Sequence, residues 1–130
     1  MLMPVLDPDF DLTLLQPYFT TAEDYDSETI LKELQVWQKT GDFFCLVFCD
    51  GSDIRGFIVG HVQRKTLFID ESYHKKGADF AEAKKGFEVA KEWARKRGLT
   101  SITGETQRNE IGAMSRFGFE YFSTIMKVRL

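Results

Sequence analysis

Apolar positions along the chain follow two periods, and the switches between them mark its elements. From Asp11 the run LTLLQPYFT reads as a short helix, capped by Asp11 and interrupted at Pro17. An acidic turn, Thr21 to Asp26, leads into a clearer helix from about Ser27 to Lys39. Ser27 or Asp26 can cap it, Ile30, Leu31, Leu34 and Trp37 form its apolar stripe, and Gly41 stops it. The period then changes. DFFCLVFC, Asp42–Cys49, is a buried-strand run, Asp50-Gly51 marks a turn, and Ile54–Val62 is a second strand joined to the first as a hairpin. After the basic turn Gln63–Lys65 a third strand covers Thr66–Ile69 and completes an antiparallel meander.

The longest helix runs from about Asp79 to Arg97. Phe80, Ala83, Phe87, Ala90 and Ala94 recur three and four residues apart, which gives one apolar face, and Gly98 ends it. Leu99–Thr103 reads as a strand, Glu110–Phe117 as a short helix ending at Gly118, and Phe119–Leu130 as one or two closing strands. The crossover from Thr66 through Thr103 is long enough to require parallel strands in an otherwise antiparallel sheet. The predicted class is α+β: a mixed, mostly antiparallel sheet with one parallel β-α-β pair and helices on both faces.

Composition narrows the reading. At 130 residues the chain fits one domain, residues 1–130. Apolar residues make up 43% and include twelve Phe, enough for a well-filled core, so intrinsic disorder is excluded. No apolar stretch approaches the ~20 residues of a membrane span, and MLMPVLDPDF does not read as a signal peptide, so the expectation is a cytoplasmic protein without a membrane partner. The net charge of −3 hides an asymmetry: residues 1–50 hold ten acids against two lysines, residues 51–130 ten acids against fifteen basic residues. That balance argues against a nucleic-acid partner and leaves room for a local anion site in the second half. Cys45 and Cys49 share a strand face roughly 13 Å apart at ~3.3 Å per residue, too far for a disulfide, and read as reduced core residues. No Cys/His spacing suits a metal.

With these elements in order, the chain resembles the Gcn5-related N-acetyltransferase superfamily over roughly residues 27–130. Three segments carry the likeness: Ile69-Asp70-Glu71-Ser72-Tyr73-His74-Lys75-Lys76-Gly77-Ala78-Asp79 between strand and long helix, the strand after AKEWARKRG, and the ending from Asn109 through Gly118-Phe119. Thr106-Gln107-Arg108 is also similar to small members encoded by phages. In that family the strand-to-helix loop reads Q/R-x-x-G-x-G/A and binds the pyrophosphate of acetyl-coenzyme A, where helix N–H groups and the helix dipole favour an anion. The resemblance thus implies acetyl-coenzyme A as co-substrate, held by His74, Lys75, Lys76, Gly77, Ala78 and Asn109, with the pantetheine arm along Phe68, Ile69 and Asp70. His74 stands where the family has Gln or Arg, and Asp79 where it has Gly or Ala.

The family's proton donor to the departing thiolate is a Tyr four residues before the "GF" glycine; here Met114 stands there, and methionine transfers no proton. Tyr121 and Ser115 are the substitutes. Asp70, Glu71 and Glu105, at two strand ends the topology brings together, are the candidate bases. His61 reads as a core or surface histidine, with a base role as its alternative. Glu23, Asp24 and Asp26 border the acceptor side and favour a cationic acceptor. The implied reaction is transfer of an acetyl group to a primary amine of a small molecule or peptide by direct attack. The alternative, favoured by His74, Asp79 and Met114, is a catalytically silent binding or structural protein of the same fold, such as a phage accessory or virion protein. An RNA-binding α+β domain would need exposed aromatics, whereas Phe43, Phe44 and Phe48 read as buried. The last strand, STIMKVRL, is read as an edge able to pair in a homodimer.

Overall fold

A strand with apolar residues on both faces belongs inside a sheet covered on both sides, and this one is. The computed structural model describes residues 2–21, 25–75, 80–105, 120–122 and 125–130, with backbone placement alone for Glu105, 120–122 and 125–127. Strand β2, Phe43–Asp50, sends Phe43, Cys45 and Val47 into one core and Phe44, Leu46 and Phe48 into the other. The first core is closed by helix α1, Ser27–Thr40, through Ile30, Leu31 and Leu34; the second by helix α2, Phe80–Lys96, through Phe87, Ala90 and Ala94. Phe80 is the exception in the predicted stripe and is exposed at the start of α2. Phe43, Phe44 and Phe48 are at most 4% exposed, so the sheet offers none of them as a stacking platform.

Strands β1 (Val5–Leu6), β2, β3 (Asp53–Gln63), β4 (Thr66–His74), β5 (Ser101–Glu105), β6 (Glu120–Phe122) and β7 (Ile125–Arg129) form one sheet in the order β1-β2-β3-β4-β5-β7-β6. Only β4 and β5 are parallel; the remaining neighbours are antiparallel. The architecture is the mixed sheet with helices on both faces that the pattern predicts.

Several details depart from the sequence reading. β1 was not foreseen, because two residues between Pro4 and Pro8 are too short to show a period. The helix predicted from Asp11 is instead a pair of 3₁₀ turns, Leu12–Leu14 and Gln16–Tyr18, with Pro17 at the start of the second, where its missing N–H costs nothing. Asp26 caps α1 by accepting the Thr29 N–H at 2.8 Å, which lowers its carboxyl pKa, and Gly41 closes the helix at φ 83°. β7 lies between β5 and β6 and has neighbours on both sides, so the last strand is not an edge open to a partner. Both cysteines are free, and burial pushes the Cys45 thiol up to about 12. Among the described residues, no helix is long and apolar enough to cross a membrane. The predicted helix Glu110–Phe117 lies outside the described residues.

β4 runs to His74 rather than stopping at Ile69, and it carries a bulge. Val59 of β3 faces Glu71 and Gly60 faces Ile69, so Asp70 is the extra residue. Gly60 is what lets the two strands approach there: a Cβ at this position would run into the Phe68 carbonyl oxygen, with Phe68 C at 3.1 Å and Ile69 Cα at 3.2 Å. Those atoms are backbone and cannot swing away. Gly60→Ala should therefore destabilise the protein by about 1–3 kcal/mol, the usual cost of overpacking, read as a lowered midpoint in chemical denaturation.

Candidate functional site

In an unbroken strand, successive side chains point to opposite faces. The bulge overrides that rule and turns the neighbours Asp70 and Glu71 to the same face, the one covered by α1. Asp70 Oδ2 lies 2.6 Å from His61 Nδ1, and the His61 ring stacks on Trp37 of α1 with centroids 4.0 Å apart and planes 11° apart. Glu71 Oε2 accepts the N–H of Thr20, in the segment leading to α1, at 3.3 Å. Phe68 of β4, the register partner of His61, lies parallel to the His61 ring at 5.5 Å and 12°. The His61 ring thus lies parallel to two aromatic rings, Trp37 and Phe68, and is bonded to a carboxylate.

This face opens where the parallel pair comes apart. β4 and β5 are paired from Thr66↔Ser101 to Ile69↔Gly104; beyond that β4 continues five residues to His74 while β5 ends at Glu105. A cavity of about 420 Å³ occupies the fork, lined by Tyr25, His61, Phe68, Ile69, Asp70, Thr103 and Gly104. A second cavity of about 50 Å³ adjoins it through Tyr25 and Asp70, and adds Glu33, Trp37 and Glu71 to its walls. The Tyr25 hydroxyl donates to Glu33 Oε2. Glu71 is 8% exposed, and burial raises its carboxyl from an ordinary 4.5 to about 7. The Thr20 N–H opposes that rise and the neighbouring Asp70 charge adds to it. A carboxyl that titrates near neutrality beside a cavity can take or give a proton at working pH.

The residues singled out from sequence fall into three groups. Phe68, Ile69, Asp70, Glu71 and His61 come together at the fork. His74 and Lys75 do not join them. His74 is the last residue of β4, paired with Gly56 and exposed, and the Lys75 N–H bonds to the Arg55 carbonyl at 2.8 Å while its ammonium pairs with Asp53 at 3.1 Å. The expected strand-to-helix loop therefore starts later than the sequence suggests, because β4 takes its first residues. Glu105 ends β5, and Tyr121 lies in β6 opposite Met126. Lys76, Gly77, Ala78, Asp79, Asn109, Met114, Ser115, Glu23, Asp24 and the Thr106–Arg108 run lie outside the described residues. Asp26, expected on the acceptor side, is engaged as the α1 cap.

Tyr25 and Glu33 were missed. Glu33 carried a signal: it stands three residues after Ile30 and four before Trp37, so it is a carboxylate on an otherwise apolar helical stripe.

No protein-family model and no curated protein matches the chain. Solved structures do. It is similar to the PaiA N-acetyltransferase of Thermoplasma acidophilum in complex with coenzyme A, at 17% identity and a TM-score of 0.73, covering 98% of this chain and 99% of that one. It is similar to the ribosomal-protein-S18-alanine N-acetyltransferase of Escherichia coli at 12% identity and a TM-score of 0.73, covering 98% and 94%. An acetyltransferase of the GNAT family from Staphylococcus aureus gives 12% identity and a TM-score of 0.72 over 98% and 99%. At such identities the likeness is one of backbone, and it agrees with the strand order, the single parallel pair and the fork described above: the chain has the Gcn5-related N-acetyltransferase fold.

Proposed function

We propose that this protein transfers an acetyl group from acetyl-coenzyme A to a primary amine, by direct attack of the amine on the thioester. The observation that carries this reading is the fork itself. Past Ile69 and Gly104 the β5-facing edge of β4 has no strand partner among the described residues, and this edge borders a cavity with a buried, near-neutral carboxyl one small chamber away. Unpaired strand N–H and C=O groups suit the amide-rich pantetheine arm, which would run along Phe68, Ile69 and Asp70. Lys76, Gly77 and Ala78, just before α2, would hold the pyrophosphate, with Asn109 as a further contact. Since Lys75 is paired with Asp53, the local charge on that phosphate falls to Lys76.

An amine arrives at neutral pH as an ammonium ion and must lose a proton before it attacks. Glu71 takes it, directly or through a water, since the small cavity beside it is large enough to hold one. Glu105, at the end of β5, and Tyr121, in the edge strand β6, are the further proton-handling candidates. Asp70, Glu71 and Glu33 make the acceptor side acidic, which favours a cationic amine of a small molecule or peptide. The test is release of free coenzyme A thiol from acetyl-coenzyme A with a panel of small amines and a lysine peptide. Amine-dependent thiol release with an N-acetylated product by mass spectrometry is expected. Coenzyme binding without thiol release from any amine would point instead to a silent protein of this fold.

A further inference from the structure

We infer that His61 is a catalytic residue of this reaction, carrying the proton from the attacking nitrogen to the departing sulfur, and that Asp70 positions it. The inference rests on the acetyl-transfer reading above and adds to it the fate of the second proton. An ionised carboxylate can only accept, so the 2.6 Å contact with Asp70 Oδ2 places a hydrogen on His61 Nδ1, and in the neutral ring the lone pair then sits on Nε2. The parallel contacts with Trp37 at 4.0 Å and Phe68 at 5.5 Å, together with the Asp70 bond, restrain the ring. Nε2 has no hydrogen-bond partner among the described residues, and the ring, in a residue only 9% exposed, lines the cavity at the fork with Ile69 and Gly104. Packing alone would be served by a hydrocarbon ring; here the ring is an imidazole tied to a carboxylate.

The step balances. As the neutral amine forms its C–N bond to the thioester carbonyl, the nitrogen becomes acidic and gives its proton to Nε2. The C–S bond then breaks, its electron pair leaves on sulfur, and the imidazolium returns the proton to the thiolate. An imidazolium is in general a stronger acid than a thiol, so proton return to the thiolate is favourable. Among the described residues, the other titratable side chains lining the two adjoining cavities are Asp70 and Glu71 of β4, Glu33 of α1 and Tyr25, while β2 opposes His61 with Phe43. The three carboxyls, where ionised, favour the transient imidazolium.

The test compares turnover at saturating acetyl-coenzyme A for the wild type, His61→Gln, Asp70→Asn, Tyr25→Phe and Tyr121→Phe, alongside nitrogen NMR of the imidazoles. The chain has only two histidines, so His61→Gln assigns the spectrum. His61→Gln should lower kcat about 100-fold with acetyl-coenzyme A affinity unchanged, and raising the pH should not restore it. Asp70→Asn should cost less and scramble the tautomer. The wild-type spectrum should show Nδ1 protonated and Nε2 bare, with Nε2 shifting when coenzyme A is added. Undiminished turnover in His61→Gln, a proton on Nε2, an Nε2 unmoved by coenzyme A, or the main loss falling on either tyrosine variant would overturn the assignment. Should His61→Gln fail to fold, the wild-type spectra still decide. Transfer that survives His61→Gln removes the shuttle and leaves the function; a wild type that binds no acetyl-coenzyme A removes both.

Discussion

Glu71→Gln is expected to lower amine acetylation about 100-fold at neutral pH while making the folded protein more stable above pH 7. The two effects share a cause. Burial pushes this carboxyl from 4.5 to about 7, so between those values the folded protein holds a proton that the unfolded chain has released. The folded state then binds more protons than the unfolded one, and stability falls as pH rises through that window. Above it the folded protein carries a buried charge whose desolvation is offset only in part by the Thr20 N–H. Glutamine keeps an oxygen for that N–H and removes the charge. Urea melts of the wild type and Glu71→Gln should agree near pH 4 and separate progressively up to pH 7, with the variant the more stable. Its activity defect should shrink as pH rises, because the free amine fraction in solution grows about tenfold per pH unit until the amine titrates. That recovery separates the ammonium-deprotonating role of Glu71 from the shuttle role of His61, whose loss should not be rescued this way. Equal activity of the variant and wild type at pH 7 would remove Glu71 from the mechanism.

Phe44→Ala is expected to cost about 3–5 kcal/mol, a large part of the ~5–15 kcal/mol that holds a domain of this size together. Phe44 is fully buried in the core between β2 and α2, and its ring packs edge-on against Trp93 with centroids 5.0 Å apart. Neighbours on both sides are regular structure that cannot collapse into the space left behind. Val36→Ala, on the exposed side of α1, provides the contrast and should change stability by less than about 0.5 kcal/mol. A Phe44→Ala variant with a near wild-type denaturation midpoint would mean that this core is not the one that holds the sheet to α2.

The two variants probe the parts of the molecule that were most and least legible in the sequence. The burial of Phe44 follows from an unbroken apolar run in β2, and the parallel pair follows from the length of the crossover between Thr66 and Thr103. The site was harder. Asp70, Glu71 and Ser72 are polar, so β4 reads as finished at Ile69, whereas the strand continues to His74 with Asp70 and Glu71 turned to a cavity wall. A bulge of one residue leaves no mark in a hydrophobic pattern. Strict alternation would have put Asp70 and Glu71 on opposite faces, and Gly60, the residue that permits the bulge, is unremarkable in sequence. His61 and Asp70 are nine residues apart on neighbouring strands, and only the register brings them within 2.6 Å. The coenzyme-binding residues are assigned by resemblance; of these, the structure makes His74 the last residue of β4 and ties Lys75, just after it, to Arg55 and Asp53.

Acetyl transfer requires that the fork between β4 and β5 hold acetyl-coenzyme A. Isothermal titration of the purified protein with acetyl-coenzyme A, paired with a thermal shift in coenzyme A alone, tests this most directly. Saturable binding at one site per chain in the micromolar range and a raised melting temperature in coenzyme A are expected. No heat and no shift at millimolar ligand would contradict acetyl transfer.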